Sequence, residues 1–197
     1  MKVIGITGGV GSGKSRVLAY MEEKFSAVIC QADHVAWELQ RPGQDCYKWI
    51  VEEFGTEILA EDNTINRIAL GEIVFADKVQ LETLNAIVHP TVKRRIIEQI
   101  EFEEKKGTAL FVIEAALLLE DNYKEICDEI WYVFAEEKIK RQRLKESRAY
   151  DDNKIDAIMK NQLSDASFRE QCKIVIDNSG DFGDTCYQID KAVGEII

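Results

Sequence analysis

Short β-branched and aromatic runs alternate along the chain with stretches of helical spacing. The runs at 3–7, 27–31, 109–114, 130–134 and 173–177 are nearly continuously apolar. That is the signature of strands buried on both faces of a parallel sheet. Between them, 15–25, 67–75 and 136–147 carry helical spacing. Five strands with intervening helices predict an α/β fold with a doubly wound parallel sheet. The spacing is uneven: about 77 residues separate the second and third strands, far more than one crossover needs. This insert, 33–108, reads as helical throughout, with Phe54, Ile58, Leu70, Val74, Leu81, Ile87 and Ile96 among its apolar positions. It is expected to form a small helical subdomain beside the mouth of the sheet, with 1–32 and 109–197 as the core. No internal repeat or low-complexity segment interrupts the pattern.

Composition narrows the classes. The 197 residues are 46% hydrophobic and 31% charged, as expected for a soluble globular chain of one or two domains. Two prolines, Pro42 and Pro90, exclude a proline-rich linker. The longest apolar stretch, 109–113 with 115–119 beyond Glu114, is far below spanning length. The N-terminus turns glycine-rich too early for a signal peptide. The expectation is a cytoplasmic protein with no membrane partner. Five scattered cysteines without a C-x-x-C pair read as reduced thiols. A formal charge of −11 argues against a nucleic-acid partner. If the ligand is anionic, the basic residues must be gathered locally.

The segment Gly8-Gly9-Val10-Gly11-Ser12-Gly13-Lys14-Ser15 follows the first strand and leads into a helix. It matches G-x-x-x-x-G-K-[ST], the phosphate loop of nucleoside triphosphate-binding proteins. Glycines at Gly9, Gly11 and Gly13 free the backbone to direct N–H groups at phosphate oxygens, and the helix adds its positive end. Lys14 supplies a charge to the β- and γ-phosphates, and the Ser15 hydroxyl can complete a Mg²⁺ shell.

Three kinds of phosphate-loop protein fit: a kinase, a GTPase switch and a motion-driving ATPase. Asn153-Lys154-Ile155-Asp156 imitates the N-K-x-D guanine reader, but no buried strand precedes it, and Asp151-Asp152 look like a helix start. The third strand leads to Glu114-Ala115-Ala116 rather than D-x-x-G, which disfavours the GTPase. A kinase needs a group to orient the acceptor hydroxyl. Asp33, just past the second strand, lies where parallel strands meet their ligand, although a helix N-cap would also explain it. Glu114 can be a metal-linked carboxylate or a structural one. Residues 138–148 hold Lys138, Lys140, Arg141, Arg143, Lys145 and Arg148 against Glu146 alone, a local +5. On a helix, Arg141, Lys145 and Arg148 share a face, as a lid closing on the transferring phosphoryl would require. A solvated charged face is the plainer alternative.

At this point the chain resembles the dephospho-coenzyme A kinase family over nearly its whole length. Residues 6–15 resemble its opening signature, and Gln31-Ala32-Asp33 stands at its D-A-D. Arg41-Pro42-Gly43, Asn66–Phe75, Leu84–Pro90, Leu117–Glu120, the basic lid with Gln162, and Asp177-Asn178-Ser179-Gly180 continue the similarity. Arg16, Gln31, Trp37 and Ala116 depart from it.

The resemblance implies a five-stranded sheet of order 2-3-1-4-5, a helical acceptor-binding insert and a basic lid at about 136–150. It also implies ATP-dependent phosphorylation of the ribose 3′-hydroxyl of dephospho-coenzyme A, the final step of coenzyme A biosynthesis. Asp33 would then be the base, with Lys14, Arg141 and Arg148 stabilising the transferring group. Gly9, Gly11, Ser12, Gly13, Lys14, Ser15, Arg16 and Asn178 would hold ATP, with Mg²⁺ on Ser15. His89 and Arg67 would join Asp33 in receiving the acceptor, unless His89 merely marks a helix entry before Pro90. The chain is expected to act as a monomer. Another phosphate-loop kinase, or a non-catalytic nucleotide sensor, is the competing reading.

Overall fold

β1 (Lys2–Thr7) forms the middle of a five-stranded sheet completed by β2 (Val28–Gln31), β3 (Leu110–Glu114), β4 (Glu129–Phe134) and β5 (Ile174–Asp177). The strand order is β2-β3-β1-β4-β5, as the resemblance implies. β1 pairs in parallel with β3, Ile4 opposite Val112, and with β4, Ile6 opposite Trp131; β4 pairs in parallel with β5. The structure is a computed structural model that describes residues 1–115 and 117–196. Ala116, one of the departures noted above, lies outside the described residues.

The near-continuous apolar runs have the burial they predict, because a parallel strand is covered on both faces. Ile4, Ile6, Leu110, Val112, Trp131, Val133 and Ile176 form one core. Val17, Leu18 and Met21 of α1 (Lys14–Phe25) join it, as do Ile189, Ala192 and Val193 of α9 (Phe182–Gly194). Each such side chain contributes roughly 1.5–3 kcal/mol of apolar burial. The Tyr20 hydroxyl donates to Asp190 at 2.7 Å and ties α1 to α9. Between β4 and β5 lie α6 (Glu137–Arg148), α7 (Asp152–Lys160) and α8 (Asp165–Gln171). Asp151 and Ser164 cap α7 and α8, accepting from Lys154 N–H and Ser167 N–H.

The chain divides into two compact units, Met1–Cys30 with Phe102–Ile197, and Gln31–Glu101. The second unit holds α2 (Ala32–Leu39), α3 (Asp45–Phe54), α4 (Arg67–Ala76) and most of α5 (Lys78–Lys106). Cys46, Ile50, Phe54, Ile58, Leu70 and Val74 make its own core. The Asn66 side chain starts α4 by accepting from the N–H groups of Ile68 and Ala69.

Two details differ from the sequence expectation. The insert is not helical throughout, since a 3₁₀ turn at Thr56–Ile58 and an antiparallel bridge between Leu59 and Ile65 interrupt it. His89 and Pro90 do not mark a helix entry. α5 runs through both for 29 residues, and the Thr91 hydroxyl bonds to Ile87 O beside the missing Pro90 N–H.

Candidate active site

The loop between β1 and α1 gets its shape from two glycines that nothing else could replace. Gly8 has φ +151°, and a Cβ there would stand 2.5 Å from Val133 O. Gly13 has φ +89°, and its Cβ would stand 2.3 Å from the Asn178 amide nitrogen. α1 starts at Lys14, so the N–H groups of Lys14 and Ser15 have no acceptor earlier in the helix, which presents its positive end to the loop.

A cleft of about 450 Å³ opens over this loop. Gly9, Gly11, Gly13, Lys14, Ser15, Arg16, Arg148 and Asn178, all assigned to the site from sequence, line it together with Glu114 and Arg143. Four cations (Lys14, Arg16, Arg143, Arg148) face one carboxylate (Glu114) there, although the chain as a whole carries −11. The local gathering of positive charge that an anionic ligand demands is therefore present. The Lys14 ammonium donates to Gly8 O at 2.8 Å and stands 3.8 Å from Glu114 Oε1.

The loop is braced from behind. The Asn178 amide, 2% exposed, donates to Ser12 O at 2.7 Å and accepts from the Thr185 hydroxyl at 3.1 Å. Arg143 donates to Ser12 O at 3.1 Å, to Gly11 O at 3.4 Å and to Asn178 O at 2.8 Å. Burial, then the nearby Arg16 charge, pushes the Arg143 guanidinium below its ordinary value, the direction that an anion in the cleft relieves. The Gln162 amide oxygen accepts from Val10 N–H at 3.2 Å. Arg16 lies over the Phe182 ring, 3.7 Å from its centroid.

Arg143, not singled out from sequence, lines the cleft, whereas Arg141, expected there, is held elsewhere. Arg141 does not line the cleft; it pairs with Glu137 at 2.8 Å, Asp152 at 3.6 Å and Asp156. Those bonds to Asp156 and Glu137 raise its pKa. The face of α6 that meets the loop is set by Leu144, its buried apolar residue, and so carries Arg143, Ser147 and Arg148. The Arg141-Lys145 edge of the same helix is drawn to the carboxylates of α7 instead. Leu144 was the available signal. The N-K-x-D imitation lies inside α7, with Asp156 bound to Arg141.

Ser12 was expected among the nucleotide-binding residues. Among the described residues, its hydroxyl is the buried side-chain oxygen with no hydrogen-bond partner. An orphaned donor within the loop fits a phosphate-bearing ligand. No group of three or more His, Cys, Asp or Glu side chains capable of holding a metal occurs among the described residues. Mg²⁺ needs only one or two protein oxygens and fills its shell with water and phosphate oxygens. Ser15 offers a hydroxyl and Glu114 a carboxylate within the cleft.

Asp33, Arg67 and His89 belong to the second unit. Asp33 is not the N-cap of α2. That position is Gln31, and Asp33 is an exposed residue of the first turn, two positions past the end of β2. Arg67 opens α4 and lines a cleft with Trp37 and Arg41. His89 is half-buried on α5.

With that geometry in place, the dephospho-CoA kinase family model matches residues 2–184. The chain belongs to the dephospho-CoA kinase family. It is 35% identical to the dephospho-CoA kinase of Symbiobacterium thermophilum over 98% of this chain and 80% of that one. It is 38% identical to that of Halalkalibacterium halodurans over 95% and 92%. The fold is similar to the crystal structure of TT1252 from Thermus thermophilus, with TM-score 0.82, 24% identity, and coverage of 100% and 98%. Against this family pattern, Gln31 serves as a helix cap without a side-chain bond and Arg16 stacks on Phe182. No helix of the described residues is long and apolar enough to cross a membrane, and Cys30, Cys46, Cys172 and Cys186 are free thiols.

Proposed function

We propose that the protein transfers the γ-phosphoryl group of ATP to the ribose 3′-hydroxyl of dephospho-CoA, giving coenzyme A and ADP. The observation that carries this is the cationic cleft over the phosphate loop, in a chain of the dephospho-CoA kinase family. Lys14 and the N–H groups at the start of α1 bind the phosphates of ATP. Arg148 and Arg143 add charge where the transferring group becomes electron-rich. Arg143 also holds the loop in shape through Gly11 O and Ser12 O. Arg16 and Asn178 flank the nucleotide.

Ser15 and Glu114 would hold Mg²⁺, which would supply charge neutralisation to the phosphate oxygens when bound. Asp33 accepts a hydrogen bond from the 3′-hydroxyl and aligns it for in-line attack. Asp33 follows the carboxyl end of β2 by two residues, a position from which residues of parallel sheets reach their ligands. The helical insert, with His89 and Arg67, receives the acceptor. The free thiols support a cytoplasmic setting, and the chain is taken to act as a monomer.

A coupled ADP-release assay tests the reading. Dephospho-CoA should be turned over far faster than a panel of nucleosides and nucleoside monophosphates. Fast turnover of another acceptor with none on dephospho-CoA makes the protein a different phosphate-loop kinase. ATP binding without turnover of any acceptor makes it a sensor.

A further inference from the structure

The second unit contains a cleft of about 440 Å³ whose chemistry the phosphate loop does not explain. Its centre is Trp37, 51% exposed, an unusual position for a large aromatic side chain. Two guanidinium groups lie over this indole: Arg41 at 5.3 Å from the ring centroid and Arg67 at 5.7 Å. Gln40, Pro42, Thr64 and Ile65 complete the wall. A guanidinium drawn to an aromatic ring by its quadrupole keeps N–H groups available for an anion. Two guanidinium groups brought together by one ring match two linked phosphates better than they match a single carboxylate. Glu38 pairs with Arg41 at 2.8 Å, but both side chains are more than half exposed, so that pair is weak and readily exchanged.

The register on α2 ties this cleft to the chemistry. Asp33 and Trp37 are four residues apart on one helix and share a face, separated by about one turn, roughly 5.4 Å. In dephospho-CoA the 3′-hydroxyl and the 5′-diphosphate are borne by one ribose, a few bonds apart. If Asp33 addresses the hydroxyl, the groups one helical turn along address the diphosphate. We propose that Arg41 and Arg67, ordered against Trp37, clamp the 5′-diphosphate of the acceptor nucleotide. The two arginines contact the acceptor, and Trp37 is a positioning residue acting through them. This rests on the function proposed above and adds to it the part of the acceptor that the insert reads.

Steady-state kinetics of Arg41→Gln, Arg67→Gln, Trp37→Ala and Trp37→Phe, with each substrate varied in turn, test the clamp. Each arginine variant should raise the KM for dephospho-CoA at least about tenfold, the loss of a charged hydrogen bond. The KM for ATP and kcat should stay within about twofold to threefold. Trp37→Ala should raise the same KM by a similar factor although no charge is lost, and Trp37→Phe should restore most of it. Wild-type turnover with variant KM values unchanged overturns the clamp alone. An equal rise in the KM for ATP also overturns it, by assigning these cations to the donor's phosphates. Absence of wild-type turnover on dephospho-CoA overturns the functional reading and the clamp with it.

Discussion

The phosphate loop and the Trp37 cleft both gather positive charge, yet they hold it by different means. At the loop, the geometry is fixed by backbone: two glycines with no room for a Cβ, and buried bonds from Asn178 and Arg143 to loop carbonyls. At Trp37, exposed side chains lean on an exposed ring. Leaving a buried carbonyl unpaired costs about 1–3 kcal/mol, whereas an exposed cation–π contact contributes about 0.5–1 kcal/mol. On the proposed reading, the donor site is built when the chain folds, whereas the exposed Trp37 cleft gains its order from the acceptor. Mutations at the first should affect stability and catalysis together; those at the second should affect acceptor affinity alone.

The largest effect that would break this contrast is at Lys14. Lys14→Ala should lower kcat/KM by about a thousandfold, as loss of a charge on the transferring group does. A loss under tenfold would mean that Lys14 adds little to transition-state stabilisation. Asp33→Asn comes next. ATP binding should survive while kcat falls at least about a hundredfold, and near-normal turnover would make Asp33 an ordinary first-turn acid of α2.

Arg143→Ala sharpens the claim that the loop is braced. It removes partners from buried carbonyls, so it should destabilise by about 2 kcal/mol, roughly 4–8 °C in Tm, and weaken ATP binding. Arg141→Ala, on the other edge of the same helix, should leave ATP kinetics within about twofold. Equal effects from the two would remove the distinction between the faces of α6. The smallest effect is Arg16→Ala, which loses the contact with Phe182 and should raise the KM for ATP by roughly twofold to fivefold.

The same contrast explains what could be read from the sequence. Buried parallel strands write nearly unbroken apolar runs, so all five were found within a residue or so of their ends, and the phosphate loop is contiguous and glycine-marked. The lid was harder, because a run of cations says that a helix is charged but not which way it faces. Heptad spacing grouped Arg141 with Arg148, whereas burial of Leu144 turned Arg143 to the loop. Pro90 normally argues for a boundary, and only the structure shows α5 continuing through it. The Trp37 cleft draws on residues from α2, the turn after it and α4, a combination no local pattern announces.

The most direct test of phosphoryl transfer to the acceptor ribose is to follow the γ-phosphate of isotope-labelled ATP in a reaction with dephospho-CoA. The label should appear as a 3′-phosphomonoester of the acceptor ribose in one-to-one ratio with ADP. Label released as inorganic phosphate, or found at another position of the acceptor, would contradict the account.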